Sequence, residues 1–371
     1  GPARDPMNPE TRHTMALIAF FAWVGLGADG LSSSAYGPEV SYLALGTHSH
    51  LGVYLAIATV LTVFLISFSY NQVIDLFPNG GGGYKVATQL VGSKAGLVSG
   101  AALIVDYVLT IAISVASGVD NFFSLEFIPP GLREWRVPVE LVIVGLLVML
   151  NLRGMKEAIK VLLPIFLGFV FFYVILIFYG LFAHADRLPG LFPATWKETT
   201  EFASEKGWIF VVSSLMLAYA QGGGTYTGLE AVSNNVNTLK EPRKRTGKWT
   251  MFYMACSLAA AAGGLLLLYV LWDVKPVEGQ TLNAVLFRDM MSGWQIGGVN
   301  LQGWLLPIVM AFTAGLLFVA ANTGFLGGPA VLSNMAVDQW VPNQFSSLST
   351  RLVTKHGVML MGIGALGILI W

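Results

Sequence analysis

The sequence predicts an all-α polytopic membrane protein, and three observations lead to that prediction. The chain has 371 residues, of which 55% are hydrophobic and 11% charged, and its mean hydropathy is +0.66. Soluble domains carry about 25% charged residues, so a bilayer is the expected solvent for this much apolar surface. Apolar runs of membrane-spanning length recur along the chain, and glycine clusters interrupt two of them.

Eight apolar runs are interpreted as membrane spans, for which about 20 helical residues are needed. A ninth run begins near Val358 and reaches Trp371 after fourteen residues, so we expect a helix truncated there and a natural protein that continues further. The eight spans lie near residues 14–45, 51–70, 95–123, 138–152, 158–183, 208–236, 249–272 and 303–335.

The distribution of basic residues predicts the orientation, because cytoplasmic loops carry an excess of Lys and Arg. With a cytoplasmic N-terminus, fourteen of the 21 Lys and Arg residues lie on the inner side. We therefore expect a multi-pass protein of the plasma (inner) membrane, with residues 1–13 as a cytoplasmic segment that begins with a tag remnant. The net formal charge of zero argues against a nucleic-acid partner.

The first and sixth spans are too long and too rich in glycine to be plain helices. Their glycines fall within residues 25–38 and 221–230, and irregular backbone at that depth is tolerated where it lines a cavity. Because the two spans are five apart, they predict two inverted five-span repeats, at 14–183 and 208–371. The glycines expected at the helix breaks are Gly27, Gly30, Gly222, Gly223 and Gly224.

Five acidic residues lie within these spans with no basic residue beside them in the sequence: Asp29, Glu39, Asp106, Asp120 and Glu230. A charge inside a membrane segment is costly and by default marks a functional site. Without Lys or Arg partners, such charge is neutralised by a bound cation, by protons or by both. Asp120 and Glu39 lie nearer the outer ends, where contact with head groups or an entrance is the favoured interpretation.

Two polar constellations suit a monovalent cation. Asp29 precedes the first break, Tyr36 follows it, and three serines at 32–34 lie between them. This segment supplies a carboxylate, hydroxyls and unwound carbonyls as oxygen ligands. Asp106, Thr110 and Ser114 have i, i+4, i+8 spacing and share one face of the third span. The alternatives are that the three serines and Asp29 only cap two half-helices, and that the Thr110 and Ser114 hydroxyls bond to carbonyls of their own helix.

The second break contains Thr227 and is followed by Glu230. This carboxyl group can gain from N–H groups at a new helix N-terminus, or stay protonated in the low dielectric and carry a proton. A structural hydrogen bond is the alternative. The segment 80–84 has the glycines of a phosphate loop without its Lys and Ser/Thr, so we interpret it as a tight turn. We expect no catalytic residue and no cofactor.

Together these motifs resemble the amino acid–polyamine–organocation (APC) superfamily, and within it the potassium importers of the KUP type, KimA-like branch. The resemblance implies a LeuT/APC-type fold with 5+5 inverted repeats and broken first and sixth helices, truncated here in the ninth. The matching segments are Asp29–Gly37, Gly80–Tyr84, Val105–Ser114, Asn151–Gly154 and Thr227–Asn234.

The resemblance also implies a function, namely import of potassium with proton symport by alternating access. It implies a proton-coupling role for Glu230, and a homodimer formed through a C-terminal region outside this chain. Asp29 and Asp106 are the implied charged ligands of the monovalent cation. The full set of implied cation ligands is Asp29, Tyr36, Asp106, Thr110, Ser114 and Thr227.

Two other functions remain open at this point. A proton-coupled permease for amino acids or for organic cations such as polyamines would share the fold. Asp29 would repel the carboxylate of an amino acid but would suit an amine. A receptor or scaffold that transports nothing is the third reading, and two broken helices with buried acids argue against it.

Overall fold

The computed structural model describes residues 17–78, 82–125, 127–153, 158–236, 239–347, 349 and 353–371, and its regular elements are almost all helical. In chain order the helices are α1 (Ala19–Ser32), α2 (Gly37–Leu43), α3 (Gly52–Leu76), α4 (Gly82–Leu90), α5 (Ser93–Phe123), α6 (Arg136–Arg153), α7 (Ala158–Ala183), α8 (Leu188–Lys206), α9 (Trp208–Gln221), α10 (Ala231–Asn234), α11 (Arg243–Leu258), α12 (Gly264–Leu271), α13 (Leu282–Met291), α14 (Gln302–Val337) and α15 (Lys355–Ile370). A short antiparallel hairpin pairs β1 (Gln295–Ile296) with β2 (Val299–Asn300).

Six stretches are helical, long and apolar enough to cross a membrane: Ser49–Leu76, Ser93–Phe123, Gly131–Leu152, Leu163–Ala183, Arg243–Leu271 and Gln302–Val337. They correspond to predicted spans two to five, seven and eight, and the shorter apolar helix α15 corresponds to the ninth. In lipid the backbone groups of an apolar run can be satisfied only within a helix or a closed barrel, which explains the agreement. The protein is a multi-pass membrane protein.

The first and sixth spans are broken, as the sequence predicts. In the first, the 3₁₀ turn Ser33–Ala35 separates α1 from α2, and Pro38 in the first turn of α2 lacks an N–H to continue the earlier helix. In the sixth, the 3₁₀ turn Gly222–Tyr226 and the following residues separate α9 from α10. Each polar segment predicted to line a site therefore lies at a helix interruption.

Some sequence expectations need correction or lie outside the described residues. Gly27 and Gly30 lie inside α1, before the first break rather than in it. The tight turn expected at 80–84 is wrong from residue 82 onward, where α4 begins, while Gly80 and Gly81 fall outside the described part. The N-terminal segment 1–13 also lies outside it. The amphipathic or short helices α4, α8 and α13 had no predicted counterpart.

Helix α14 packs chiefly against α5, which carries the polar face of the third span. A Cβ at Gly324 would lie 3.0 Å from the Tyr107 carbonyl oxygen, so the two helices approach closely at this glycine. This contact brings Thr323 of α14 toward the broken first span, where the candidate site lies.

Candidate functional site

The two helix breaks contact each other through their backbones. Gly228, with φ +85°, lies so close to α1 that a Cβ there would come within 2.8 Å of the Gly30 Cα and the Asp29 carbonyl carbon. Gly30 is therefore a close-packing residue rather than a helix breaker, which explains the corrected expectation. Ser33 Oγ lies 2.6 Å from the Gly30 carbonyl oxygen and 2.7 Å from that of Thr225, and it joins the two spans.

Glycines of the sixth span fit around the first span. Gly222 packs against Ser41, and a Cβ at Gly224 would lie 3.2 Å from the Tyr36 ring, while Gly223 faces open space. Gly27, on α1, packs instead against Trp23 and Met254. The three glycines of the sixth span lie in its break, and Gly27 does not lie in either break.

Serine hydroxyls close the end of α1. Ser32 Oγ donates to the Asp29 carbonyl oxygen and Ser34 Oγ to that of Leu31, each at 2.7 Å. These bonds satisfy carbonyls that the interrupted helix leaves free. The serines therefore act as caps, while the Asp29 side chain is left for another role.

Three carboxyl groups share the region between the breaks. Asp29 is 4% exposed, its Oδ1 has no hydrogen-bond partner within the described residues, and the Thr323 hydroxyl lies beside its carboxyl group. Asp106 and Glu230 lie close enough to Asp29 to interact with it electrostatically. None of the three acids forms an ion pair within the described part of the chain.

Neutral oxygens lie beside these acids. The Tyr36 hydroxyl lies next to the Thr227 side chain and interacts electrostatically with all three carboxyl groups. Thr227 Oγ1 donates to the Gly224 carbonyl oxygen at 3.0 Å, which leaves its lone pairs for an acceptor role. The carboxyl group of Glu230 lies beside the backbone N–H groups of Gly228 and of Glu230 itself.

Thr110 and Ser114 lie one and two turns further along α5 and are both buried. Ser114 is 0% exposed and its Oγ has no partner within the described residues, so it does not bond to its own helix as the alternative reading required. No hydrogen bond of the described residues joins either hydroxyl to the acids. The structure thus brings together Asp29, Tyr36, Asp106, Thr227 and Glu230, with Thr110 and Ser114 adjacent along the helix.

The other two acids have partners that the sequence did not reveal. Asp120 forms an ion pair with Arg136 at the start of α6, so the expectation that these acids lack a Lys or Arg partner is wrong for Asp120. Glu39 lies beside the backbone N–H of Leu282 in α13. Neither acid interacts directly with the group around Asp29 in the way that Asp106 and Glu230 do.

Asp29 and Thr323 line a cavity of about 220 Å³. Tyr84, which lines it, donates a 2.5 Å hydrogen bond to Asp338, and burial together with this bond raises the pKa of Tyr84 to about 12. Asn234 also lines the cavity and donates to the Tyr107 hydroxyl at 3.2 Å. The polar pair at 322–323 within an apolar span was the one sequence signal that could have pointed to Thr323.

Across the described ranges, no group of three or more His, Cys, Asp or Glu is close enough to hold a metal ion in the manner of a metalloenzyme. The arrangement consists of separated carboxylates with interleaved hydroxyls and backbone carbonyls. Such hard oxygen ligands suit a loosely held, exchangeable cation.

A family model described as amino acid permease matches residues 16–371. The chain belongs to this family. Membership places it in the APC superfamily, in line with the sequence resemblance. The relatives described below are transporters and not enzymes.

The chain is 29% identical over 370 residues to the potassium transporter KimA of Bacillus subtilis (strain 168), covering 98% of this chain. It spans a little over half, 58%, of that relative. It is also similar to the structure of a Na⁺-coupled sialic acid symporter in a substrate-bound, outward-open state, with a TM-score of 0.57 and 17% identity. That match covers 97% of this chain and 74% of the symporter, and it confirms the LeuT-type fold.

Proposed function

We propose that this APC-family protein is a secondary transporter that imports potassium by alternating access, with a proton as co-substrate. The observation that carries the proposal is the buried Asp29 carboxylate, with one oxygen unpartnered, at the junction of two broken helices. Isolated charge in such a place is costly, so a mobile cation is the partner that balances it. The similarity to a potassium transporter agrees with this reading.

The proposed cation ligands are the residues gathered at the junction. Asp29 and Asp106 supply charge. Neutral oxygens come from Tyr36, which follows the 3₁₀ turn of the first span, and from Thr227, which follows that of the sixth. Thr110 and Ser114 extend the oxygen ligands along α5. Because ligands come from both breaks and from α5, a rocking of one group of helices against the other would open and close the set.

The proposed proton site is Glu230. Three neighbouring carboxyl groups repel one another when all are ionised, which favours protonation of one of them. Cation binding near Asp29 and Asp106 and proton occupancy at Glu230 are therefore linked. By reciprocity, the proton gradient then biases cation binding as strongly as the cation biases proton binding. We further propose a cytoplasmic N-terminus and a plasma-membrane location, from the basic residues.

A proton-coupled permease for amino acids or for organic cations such as polyamines is the second candidate, because the family model that matches is that of amino acid permeases. A cationic amine would be attracted by the same carboxylates. An amino acid is less suited, since its carboxylate would meet Asp29 rather than free N–H groups.

The test is uptake by the full-length protein in proteoliposomes, with rubidium as a potassium tracer beside labelled amino acids and polyamines. Saturable rubidium uptake that excess potassium competes away, with no uptake of the organic compounds, supports the proposal. Uptake of an amine without rubidium uptake rejects potassium as the substrate and favours the second candidate.

A further inference from the structure

A buried asparagine outside every predicted span contacts the break of the first span. Asn283 is the second residue of α13 and is 0% exposed. It lies in the connection between α12 and α14, whose residues the sequence analysis left without a role. Buried polar side chains are costly unless they are hydrogen-bonded, so the partners of Asn283 indicate its purpose.

Both ends of the Asn283 amide are occupied. Nδ2 donates to the Ala35 carbonyl oxygen at 3.0 Å, and Oδ1 accepts from the Tyr269 hydroxyl at 2.6 Å. The two partners fix the orientation of the amide, because the Ala35 carbonyl can only accept. Ala35 ends the 3₁₀ turn between α1 and α2, where helical N–H donors run out.

The asparagine is held in place from two directions. The Thr281 N–H donates at 2.9 Å to Oγ of Ser124, the residue that immediately follows α5. The Thr281 side chain caps α13 by accepting from the Ala284 N–H at 3.3 Å. Glu39 of α2 lies beside the Leu282 N–H. The start of α13 therefore connects α5 with the broken first span, and these elements carry the proposed cation ligands.

We propose that Asn283 is a positioning residue for the cation site. Its amide fixes the peptide that joins Ala35 to Tyr36, and so it directs the Tyr36 side chain toward Thr227 and the three acids. Asn283 itself does not touch the cation. The transport part of this inference rests on the proposed function, while the structural part does not.

The first experiment measures amide hydrogen exchange in the peptide that covers residues 33–36. Asn283→Asp keeps the size and the acceptor for Tyr269 but replaces the donor to Ala35 with an oxygen. Exchange in this peptide should rise at least tenfold, with no change in distant helices. The matched control is Asn300→Asp, at an exposed position in β2. Oδ1 of Asn300 accepts from the Gln302 N–H at 3.0 Å, and the aspartate keeps this acceptor. Unchanged exchange in Asn283→Asp overturns the inference.

The second experiment separates positioning from a general loss of stability. Asn283→Asp should raise the potassium concentration for half-maximal uptake at least fivefold, more than it lowers maximal uptake per folded protein. Tyr269→Phe, which frees only the far end of the amide, should shift it in the same direction by less, and it serves if the aspartate variant does not fold. Loss of folded protein at an unchanged half-maximal concentration overturns the inference. If the wild type takes up no potassium, the proposed function fails and the exchange experiment alone decides the role of Asn283.

Discussion

The two helix breaks differ in burial and in glycine content. The first, at Ser33–Ala35, is buried, and Asn283 donates to its Ala35 carbonyl oxygen while the Ser33 hydroxyl lies against the carbonyl oxygens of Gly30 and Thr225. The second, at Gly222–Tyr226, also accepts side-chain hydrogen bonds, from Ser33 and Thr227, but it begins with three successive glycines, of which Gly223 faces open space. Gly228, just beyond it, has a positive φ beside α1. Burial by surrounding side chains restricts the first break, whereas three successive glycines leave the second freer to change its backbone conformation.

This difference suggests a division of labour between the two spans. The first break holds Asp29 and Tyr36, on either side of it, in a fixed arrangement in which they supply a carboxylate and a hydroxyl. The second carries Thr227 and the half-buried Glu230, at a place where the backbone can adjust as ions and protons come and go. The predictions below test this contrast.

The largest effect is expected from removing the charge of Asp29, beside the first break. Asp29→Asn removes the charge but keeps the shape, so rubidium uptake below saturation should fall by about tenfold to 150-fold, because an interaction with a charged group is worth about 1.5–3 kcal/mol. Uptake is measured in proteoliposomes beside size-exclusion profiles. The control is Asp75→Asn, which breaks a half-exposed ion pair with Lys248 at 2.7 Å and should leave uptake intact. Near-normal uptake by Asp29→Asn removes this residue from the site.

Two glycines of the second break should respond in opposite ways. Gly228→Ala is expected to lose folding or transport, because a positive φ costs an L residue about 1–2 kcal/mol and the new Cβ meets the α1 backbone. Gly223→Ala has room for its methyl group and should melt within a few degrees of the wild type. Thermal melting and uptake are measured for both. Equal behaviour of the pair would contradict the described contact between the spans.

Glu230→Gln should separate transport from the proton gradient. Wild-type uptake should rise with an inward proton gradient at clamped voltage, because cation and proton occupancy are linked. The glutamine variant should lose this dependence, while Glu201→Gln, at an exposed 3.8 Å ion pair with Lys197, should keep it. Uptake by the wild type that ignores the gradient, together with an active Glu230→Gln variant, would instead indicate a voltage-driven uniporter.

The smallest effects are expected from the hydroxyls. Thr227→Ala and Thr110→Ala each remove one neutral ligand and should raise the half-maximal potassium concentration by about threefold to tenfold, in line with about 1 kcal/mol per neutral bond. Ser114→Ala separates two readings of an unpartnered oxygen. As a ligand, its loss weakens potassium binding; as a mere buried orphan, its loss leaves uptake unchanged and raises the melting temperature.

The sequence predicted the spans and their breaks because apolar length and glycine clusters are local signals. It could not tell a glycine that breaks a helix from one that lets two backbones meet, so Gly30 was placed in the wrong role. It also could not supply Thr323 beside Asp29 or Asn283 beside Ala35, since these contacts join residues far apart in the chain. The same limit hid the Arg136 partner of Asp120. The inverted-repeat relation and the domain boundaries at 183 and 208 stay predictions.

The central claim is that Asp29 helps to bind potassium at the junction of the two breaks, and ligand-dependent melting tests it most directly. Binding at a concentration about 100 times Kd stabilises the folded state by about 2.7 kcal/mol. Melting of the wild type and of Asp29→Asn is compared in potassium, sodium and choline chloride at equal ionic strength. The account predicts a potassium-specific rise in melting temperature for the wild type and none for Asp29→Asn. An equal rise in both proteins, or no rise in either, would contradict it.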